Sequence, residues 1–267
     1  MRPSRTLAAI FSLTVTTAVV ASSVLAVSVP ASTADQTTLT AAPAAARAAA
    51  KPAVLSQRVI GRSVKKRPIR AYELGQRGKP EVVLISTMHG DERATRQILW
   101  SLRDGKRIRG VHLWVVPTYN PDGVARKSRK NARSVDLNRN YPYKWKDLDG
   151  SYESGPRPRS EPETRAMMRF LRTIKPKWIL SFHQPLHGVD TDTKNQRFAR
   201  RVARKLDLPR KRFDCGGVCH GTMTMWFNHR FRGSALTVEY GATPPKRLMR
   251  VRAPRQVLSV FNARRAR

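Results

Sequence analysis

Two histidines and two glutamates carry the chemistry that this chain could perform. His89 and Glu92 stand three positions apart in Thr87-Met88-His89-Gly90-Asp91-Glu92, just after the apolar run Val82 to Ile85. On a turn or a helix start, residues at that spacing face the same way, so an imidazole and a carboxylate can share one ion. Zinc held by two His and one carboxylate keeps a fourth position for water and makes that water acidic enough to attack near neutral pH. His183 and Glu239 are the later residues expected to close on the pair. A lone H-x-x-E also occurs on surface turns, and a strand-end glutamate pairs readily with arginine. The elements that position these residues therefore decide between the readings.

Each of the later residues follows an apolar run that reads as a buried strand, Trp178 to Phe182 before His183 and Ser234 to Val238 before Glu239. Further strands are expected at Val54 to Ile60, Ile69 to Leu74, Glu81 to Thr87 and Val111 to Val116. Helices are expected at Ala94 to Leu102, stopped near Gly105, and from Ser160 as N-cap with Glu163 in a capping box. More helix is expected at Phe198 to Leu206, Met223 to Phe227 and around Val257 to Phe261. This order implies an α/β fold with a mixed, mostly parallel central sheet flanked by helices. In such sheets ligands sit beyond the carboxyl ends of the strands, where His183 and Glu239 emerge. Between Pro117 and Pro158 the chain is polar and turn-rich, beginning with a break at Asn120-Pro121-Asp122-Gly123, and so long an irregular segment reads as a functional loop. His187 reads as a loop histidine, while His112 in a strand and His229 beside a basic turn have no evident partner.

The first 30 residues have the form of an export signal: Arg2 and Arg5, an apolar stretch to about Val29, and small residues for cleavage. An uncleaved N-terminal anchor is the alternative, and only then would the chain be held in a membrane. Residues 31–53, rich in Ala, Thr and Pro, read as a flexible linker, which leaves 54–267 as one catalytic domain. With 52 basic and 18 acidic residues the net charge is +34. Such charge suits an anionic partner. Nucleic acid is one, but export turns the expectation toward a cell-wall polymer or anionic lipid headgroups. A solvated, Arg-rich surface without any partner is the bland alternative. Cys215 and Cys219 are the two cysteines, and a loop disulfide, free thiols or a second metal with His220 all remain open.

Five motifs in register resemble the zinc carboxypeptidases of the M14 type, and most closely their small bacterial murein peptide amidase branch. They are His89-x-x-Glu92, Asn120-Pro121-Asp122-Gly123, Asp136-Leu137-Asn138-Arg139-Asn140, Ser160-Glu161-Pro162-Glu163-Thr164, and Thr237-Val238-Glu239 preceded by His183. The resemblance implies one zinc ion bound by His89, Glu92 and His183, with Glu239 as general base. It implies Asn138 and Arg139 as the clamp for a terminal carboxylate, and Arg129, with Arg133 as competitor, as the oxyanion residue. Taken with the export signal and the charge, it points to a secreted or wall-associated metallocarboxypeptidase acting on a peptide or muropeptide of the γ-D-glutamyl-diaminopimelate type. A general extracellular carboxypeptidase is the first alternative, and a non-catalytic polyanion-binding module the second. Two departures stand out. The region 215–228 lacks the Tyr that larger members carry on a mobile loop, leaving His220 or Trp226 as candidate covers, and the chain is short between His183 and Glu239.

Overall fold

The computed structural model describes residues 53–213 and 215–267. The export signal, or anchor, and all but the last residue of the linker lie outside the described residues. Within them the strands are β1 (Val54–Arg62), β2 (Pro68–Gly75), β3 (Glu81–Ser86), β4 (Ile108–Arg109), β5 (His112–Val116), β6 (Trp178–His183), β7 (Leu186–Asp190), β8 (Arg210–Lys211), β9 (Ser234–Gly241) and β10 (Arg264–Arg265). The helices are α1 (Arg96–Asp104), α2 (Pro121–Arg126), α3 (Pro162–Ile174), α4 (Gln196–Leu206), α5 (Met223–Arg230) and α6 (Ala253–Val260). No helix among the described residues is long and apolar enough to cross a membrane.

Eight strands form one mixed sheet in the order β1-β2-β5-β3-β6-β9-β7-β8, and β4 and β10 make a separate two-stranded ladder. Its centre, β5-β3-β6-β9, is parallel, while β1, β2 and β7 run antiparallel to their inner neighbours. The central strands are apolar almost continuously because both faces are covered. Val82, Leu84, Leu180, Leu236 and Val238 pack with α1, α4 and α6. Val83, Ile85, Ile179 and Ala235 pack with α3 and α5. Each such fully buried Leu, Ile or Val contributes about 1.5–3 kcal/mol.

Strand parity and register place the chemistry. Ser181 and His183 share the face of Ile179, and Thr237 and Glu239 share the face of Ala235, because side chains alternate along a strand. The parallel register pairs His183 with Glu239 and Ser181 with Thr237, so the two functional candidates stand side by side.

Several local expectations are corrected. Glu239 lies inside its strand, which runs on to Gly241 because β7 pairs with it on the outer side. His187 belongs to that strand β7, not to a loop, and lines a separate cavity with Asp207 and Tyr240. Asn120 does not begin a simple turn. It is the N-cap of α2, its Oδ1 accepting from the Gly123 N–H at 2.8 Å with Pro121 in the first turn. Glu161, not Ser160, is the N-cap of α3. Ser160 Oγ is held by Asn140 and Glu161, and the Glu163 carboxylate accepts from the Val64 N–H and Asn131 instead of closing a capping box.

Candidate active site

At the carboxyl end of β3 the chain turns sharply into the H-x-x-E segment. Thr87 adopts a left-handed φ of 51°, and the hydroxyls of Ser86 and Thr87 both donate to the Pro117 carbonyl, at 2.9 and 3.0 Å. Asn120 Nδ2 donates to the Met88 carbonyl, tying this turn to the start of α2. Gly90 is required by that close approach, since a Cβ there would sit 2.0 Å from the carbonyl carbon of Gly123. His89 and Glu92 are thus presented from a backbone pinned on two sides.

His89, Glu92 and His183 converge, all buried, with one donor atom of each within 4.8 Å of the others. Glu92 reaches His89 Nδ1 at 2.6 Å with one oxygen and His183 Nδ1 at 2.9 Å with the other. The two Nδ1 atoms lie 3.3 Å apart. Behind them, His89 Nε2 meets Asp136 Oδ1 at 3.1 Å and His183 Nε2 meets Ser181 Oγ at 2.8 Å. Assigning each ring proton to Nε2, where an acceptor waits, leaves both Nδ1 lone pairs facing the Glu92 carboxylate. In that tautomer the facing acceptors repel unless a proton or a metal cation sits among them, and two imidazoles with one carboxylate are a donor set that zinc prefers.

The electrostatics point the same way. Burial disfavours the His89 imidazolium, yet the charges of Glu92 and Asp136 outweigh burial and lift its pKa to about 9. Burial also opposes the Glu92 charge, but His89 and His183 outweigh it and hold the carboxyl at about 2. For Asp136, burial is overcome by His89 and the nearby arginines, which keep it well below the usual carboxylate range. The field stabilises positive charge at the cluster.

Around it lies a cavity of about 200 Å³ that brings together His89, Glu92, His183, Glu239, Arg129 and Arg139. Arg129 grips Asp136 through Nε at 3.0 Å and Nη2 at 2.7 Å, with Nη1 3.2 Å from His89 Nδ1. Arg133, the competitor, is exposed and faces Glu161 at 3.9 Å, outside the cavity. Arg139 stacks on Tyr152 at 4.6 Å and keeps a buried Nε without a partner. Asn138 also lines the cavity, its Oδ1 accepting from the Met223 N–H. Glu239 is buried, accepts from the Leu186 N–H at 3.3 Å, and has its pKa raised by burial against the opposing charge of His183.

Four features escaped the sequence reading. Asp136 lies in the Asp136-Leu137-Asn138-Arg139-Asn140 motif, but its grip on both His89 and Arg129 is visible only in the fold. Ser181 precedes His183 by two positions, the strand period, which is the one local hint of its role. Tyr152 comes from the long irregular segment. Asp190 lines the cavity with its carboxylate accepting from the backbone N–H groups of Asp192 and Phe213, and among the described residues no further donor and no cation pairs with it. Cys215 and Cys219 form a disulfide at the cavity wall. Trp226 does not cover the cavity. It is buried against Tyr141 and Phe231, and His220 is not a lining residue either. His112 does have partners, Glu73 at 2.9 Å and Glu81 at 3.3 Å, and His229 stacks on Tyr143 at 4.0 Å.

A parallel-centred α/β sheet with a His/Glu/His cluster and a buried glutamate at its strand ends defines a metallopeptidase frame. The chain belongs to the zinc carboxypeptidase (peptidase M14) family, whose model matches residues 42–189, more than half of its length. It is a metallocarboxypeptidase with zinc as its cofactor. The murein peptide amidase A of Escherichia coli K12 is 32% identical over 165 residues, which cover 56% of this chain and 67% of that protein. The crystal structure of the murein-tripeptide amidase from Escherichia coli O157 superposes with a TM-score of 0.62 at 25% identity, covering 78% of this chain and 91% of that one. A carboxypeptidase A from Helicoverpa armigera shares the fold, with a TM-score of 0.66 at 17% identity over 79% of this chain and 68% of that one.

Proposed function

We propose that this metallocarboxypeptidase is exported and hydrolyses the amide between γ-D-glutamate and diaminopimelate in cell-wall peptides. The observation that carries the reading is the single cavity in which the His89/Glu92/His183 cluster, a buried glutamate, two arginines and an aspartate with no cationic partner among the described residues meet. Diaminopimelate offers a free carboxylate beside the scissile amide and a second amino group at the end of its side chain. Arg139, with an unsatisfied buried Nε, and Asn138 suit the carboxylate. Asp190 suits the ammonium.

His89, Glu92 and His183 are the residues that would hold zinc, which when bound supplies Lewis acidity and a water of lowered pKa. Glu239, buried beside His183, takes the proton released as water adds to the carbonyl and delivers it to the leaving amine. Arg129 donates to the oxygen on which negative charge develops, and Asp136 keeps that guanidinium and the His89 ring in place. Wall-associated localisation is supported by the residue pattern of the first 30 residues and by a net charge of +34, which suits anionic wall polymers.

The test is zinc content measured together with diaminopimelate release from a γ-D-glutamyl-diaminopimelate peptide, with and without a chelator. Chelator-sensitive release is expected. Zinc-loaded protein that leaves this peptide intact but trims ordinary peptides would move the substrate to the general extracellular class.

A further inference from the structure

The strands that deliver the catalytic residues end, at their amino termini, on a second and larger concavity. Glu81 of β3, His112 of β5, Trp178 of β6 and Ser234 of β9 line an open groove of about 920 Å³. Strand β6 runs from Trp178 to His183, five steps of about 3.3 Å each, so the groove and the active site lie roughly 17 Å apart at opposite ends of the sheet. Separate connections build its walls: the β2–β3 turn with Arg77 and Lys79, the α3–β6 link with Lys175 and Lys177, and the α5–β9 link with Arg232.

Some of these charges are already satisfied. Arg77 forks onto Glu73 at 2.7 and 2.9 Å, and Glu81 faces His112 at 3.3 Å. Lys79, Lys175, Lys177 and Arg232 remain, all exposed and with no acidic partner among the described residues. Cations gathered in a concavity repel one another and focus a positive field on whatever enters, unlike cations spread over a convex face. The outer side of α4 carries Arg197, Arg200, Arg204 and Lys205, all exposed and none of them lining the groove.

We infer that this groove binds a flexible phosphodiester polymer of the polyol-phosphate kind. Grooves for single-stranded nucleic acid combine cations with successive free aromatic faces on which bases stack. Here the lining contains one large aromatic ring, and it is committed. Trp178 stacks on Phe198 at 4.1 Å, with Arg201 and Lys177 over it at 5.4 and 5.7 Å. A polymer that carries phosphates without bases needs only the charges. Holding it at this end leaves the opposite end of the sheet free to meet peptide. The inference does not depend on the hydrolytic reading, because no groove residue lines the active-site cavity.

The experiment is a binding titration of the full chain with a glycerol-phosphate oligomer over a range of salt, in parallel with oligothymidylate of equal phosphate number. One variant carries Lys79→Gln, Lys175→Gln, Lys177→Gln and Arg232→Gln. A charge-matched control carries Arg197→Gln, Arg200→Gln, Arg204→Gln and Lys205→Gln. The groove variant is expected to lose affinity for the glycerol-phosphate oligomer at least about tenfold and to flatten the log–log salt slope by about three. The control is expected to lose less than about threefold, and both variants to keep turnover on a small neutral peptide. Equal losses in the two variants, no binding by the parent chain, or tighter binding of oligothymidylate would each overturn the inference.

Discussion

Two carboxylate–histidine–arginine clusters occupy opposite ends of the same sheet and are built almost alike. Asp136 accepts from His89 Nε2 at 3.1 Å and from Arg129 at 2.7 Å. Glu73 accepts from His112 Nε2 at 2.9 Å and from Arg77 at 2.7 Å. What differs is the other face of each imidazole and the setting of each guanidinium. His89 Nδ1 looks onto Glu92 and His183 around a cavity, whereas His112 Nδ1 meets the single carboxylate of Glu81. The Arg129 side chain is 29% exposed and that of Arg77 69%. A buried carboxylate that orients a histidine is therefore not in itself a catalytic device. It becomes one where a second histidine and an open cavity converge on the free nitrogen.

The largest effect is expected from removing a group that only the catalytic end of the sheet has. Glu239→Gln is expected to keep zinc and lose turnover by about 10²–10⁴-fold or more, while His183→Ala loses both, as read by metal analysis and release assays. Activity retained in Glu239→Gln would take the base assignment away. Next in size is the matched pair Asp136→Asn and Glu73→Gln. Asp136→Asn is expected to weaken zinc about 10–100-fold in competition with a chromogenic chelator, and Glu73→Gln to leave zinc affinity and turnover unchanged. Equal effects would mean that the two clusters do not differ in function.

A smaller effect is expected at Asp190, where burial lifts the carboxyl to about 6 against the opposing backbone N–H groups of Asp192 and Phe213. Asp190→Asn should raise KM about tenfold for a diaminopimelate peptide with kcat little changed, and leave peptides with an uncharged terminal side chain unaffected. In the parent enzyme, KM for the diaminopimelate peptide should fall as pH rises through about 6 and the carboxylate forms. A kcat effect in place of a KM effect would remove Asp190 from substrate reading.

How far the sequence could be read follows from where each interaction originates. The apolar runs of β3, β6 and β9 and the spacing of His89 and Glu92 are local, so the parallel centre of the sheet was legible before any fold. Ladder pairing is not local. Leu186-His187-Gly188-Val189-Asp190 has weak strand character and becomes β7 only because the edge of β9 is there to pair with, which is why His187 read as a loop and Glu239 as a strand end. Ser160 illustrates competition of another kind. Its capping-box partner Glu163 is claimed by Val64, 99 positions away, and a long-range hydrogen bond of that kind leaves no trace in local spacing. Asp136 likewise sits 47 residues from the ring it orients.

The remaining test separates the structural cluster from the catalytic one by pH. Glu73 is held at about 2, first by the hydrogen bonds from Arg77, with burial opposing and Ser56 and His112 adding to the effect. Its ordinary value is 4.5, so the unfolded chain takes up a proton at higher pH than the folded one. The stabilisation is thus fully present above about pH 4.5 and is lost as pH falls toward about 2. Because Arg77 is largely solvated, the contribution is modest. Acid also releases metal from histidine and carboxylate ligands, so the parent chain and Glu73→Gln are best compared by urea unfolding with chelator present throughout. The variant should unfold at lower urea near pH 7, and the gap should close steadily below pH 4.5. A gap that stays constant down to pH 2 would mean that Glu73 acts through packing and not through its charge, and the likeness between the two clusters would then be one of geometry alone.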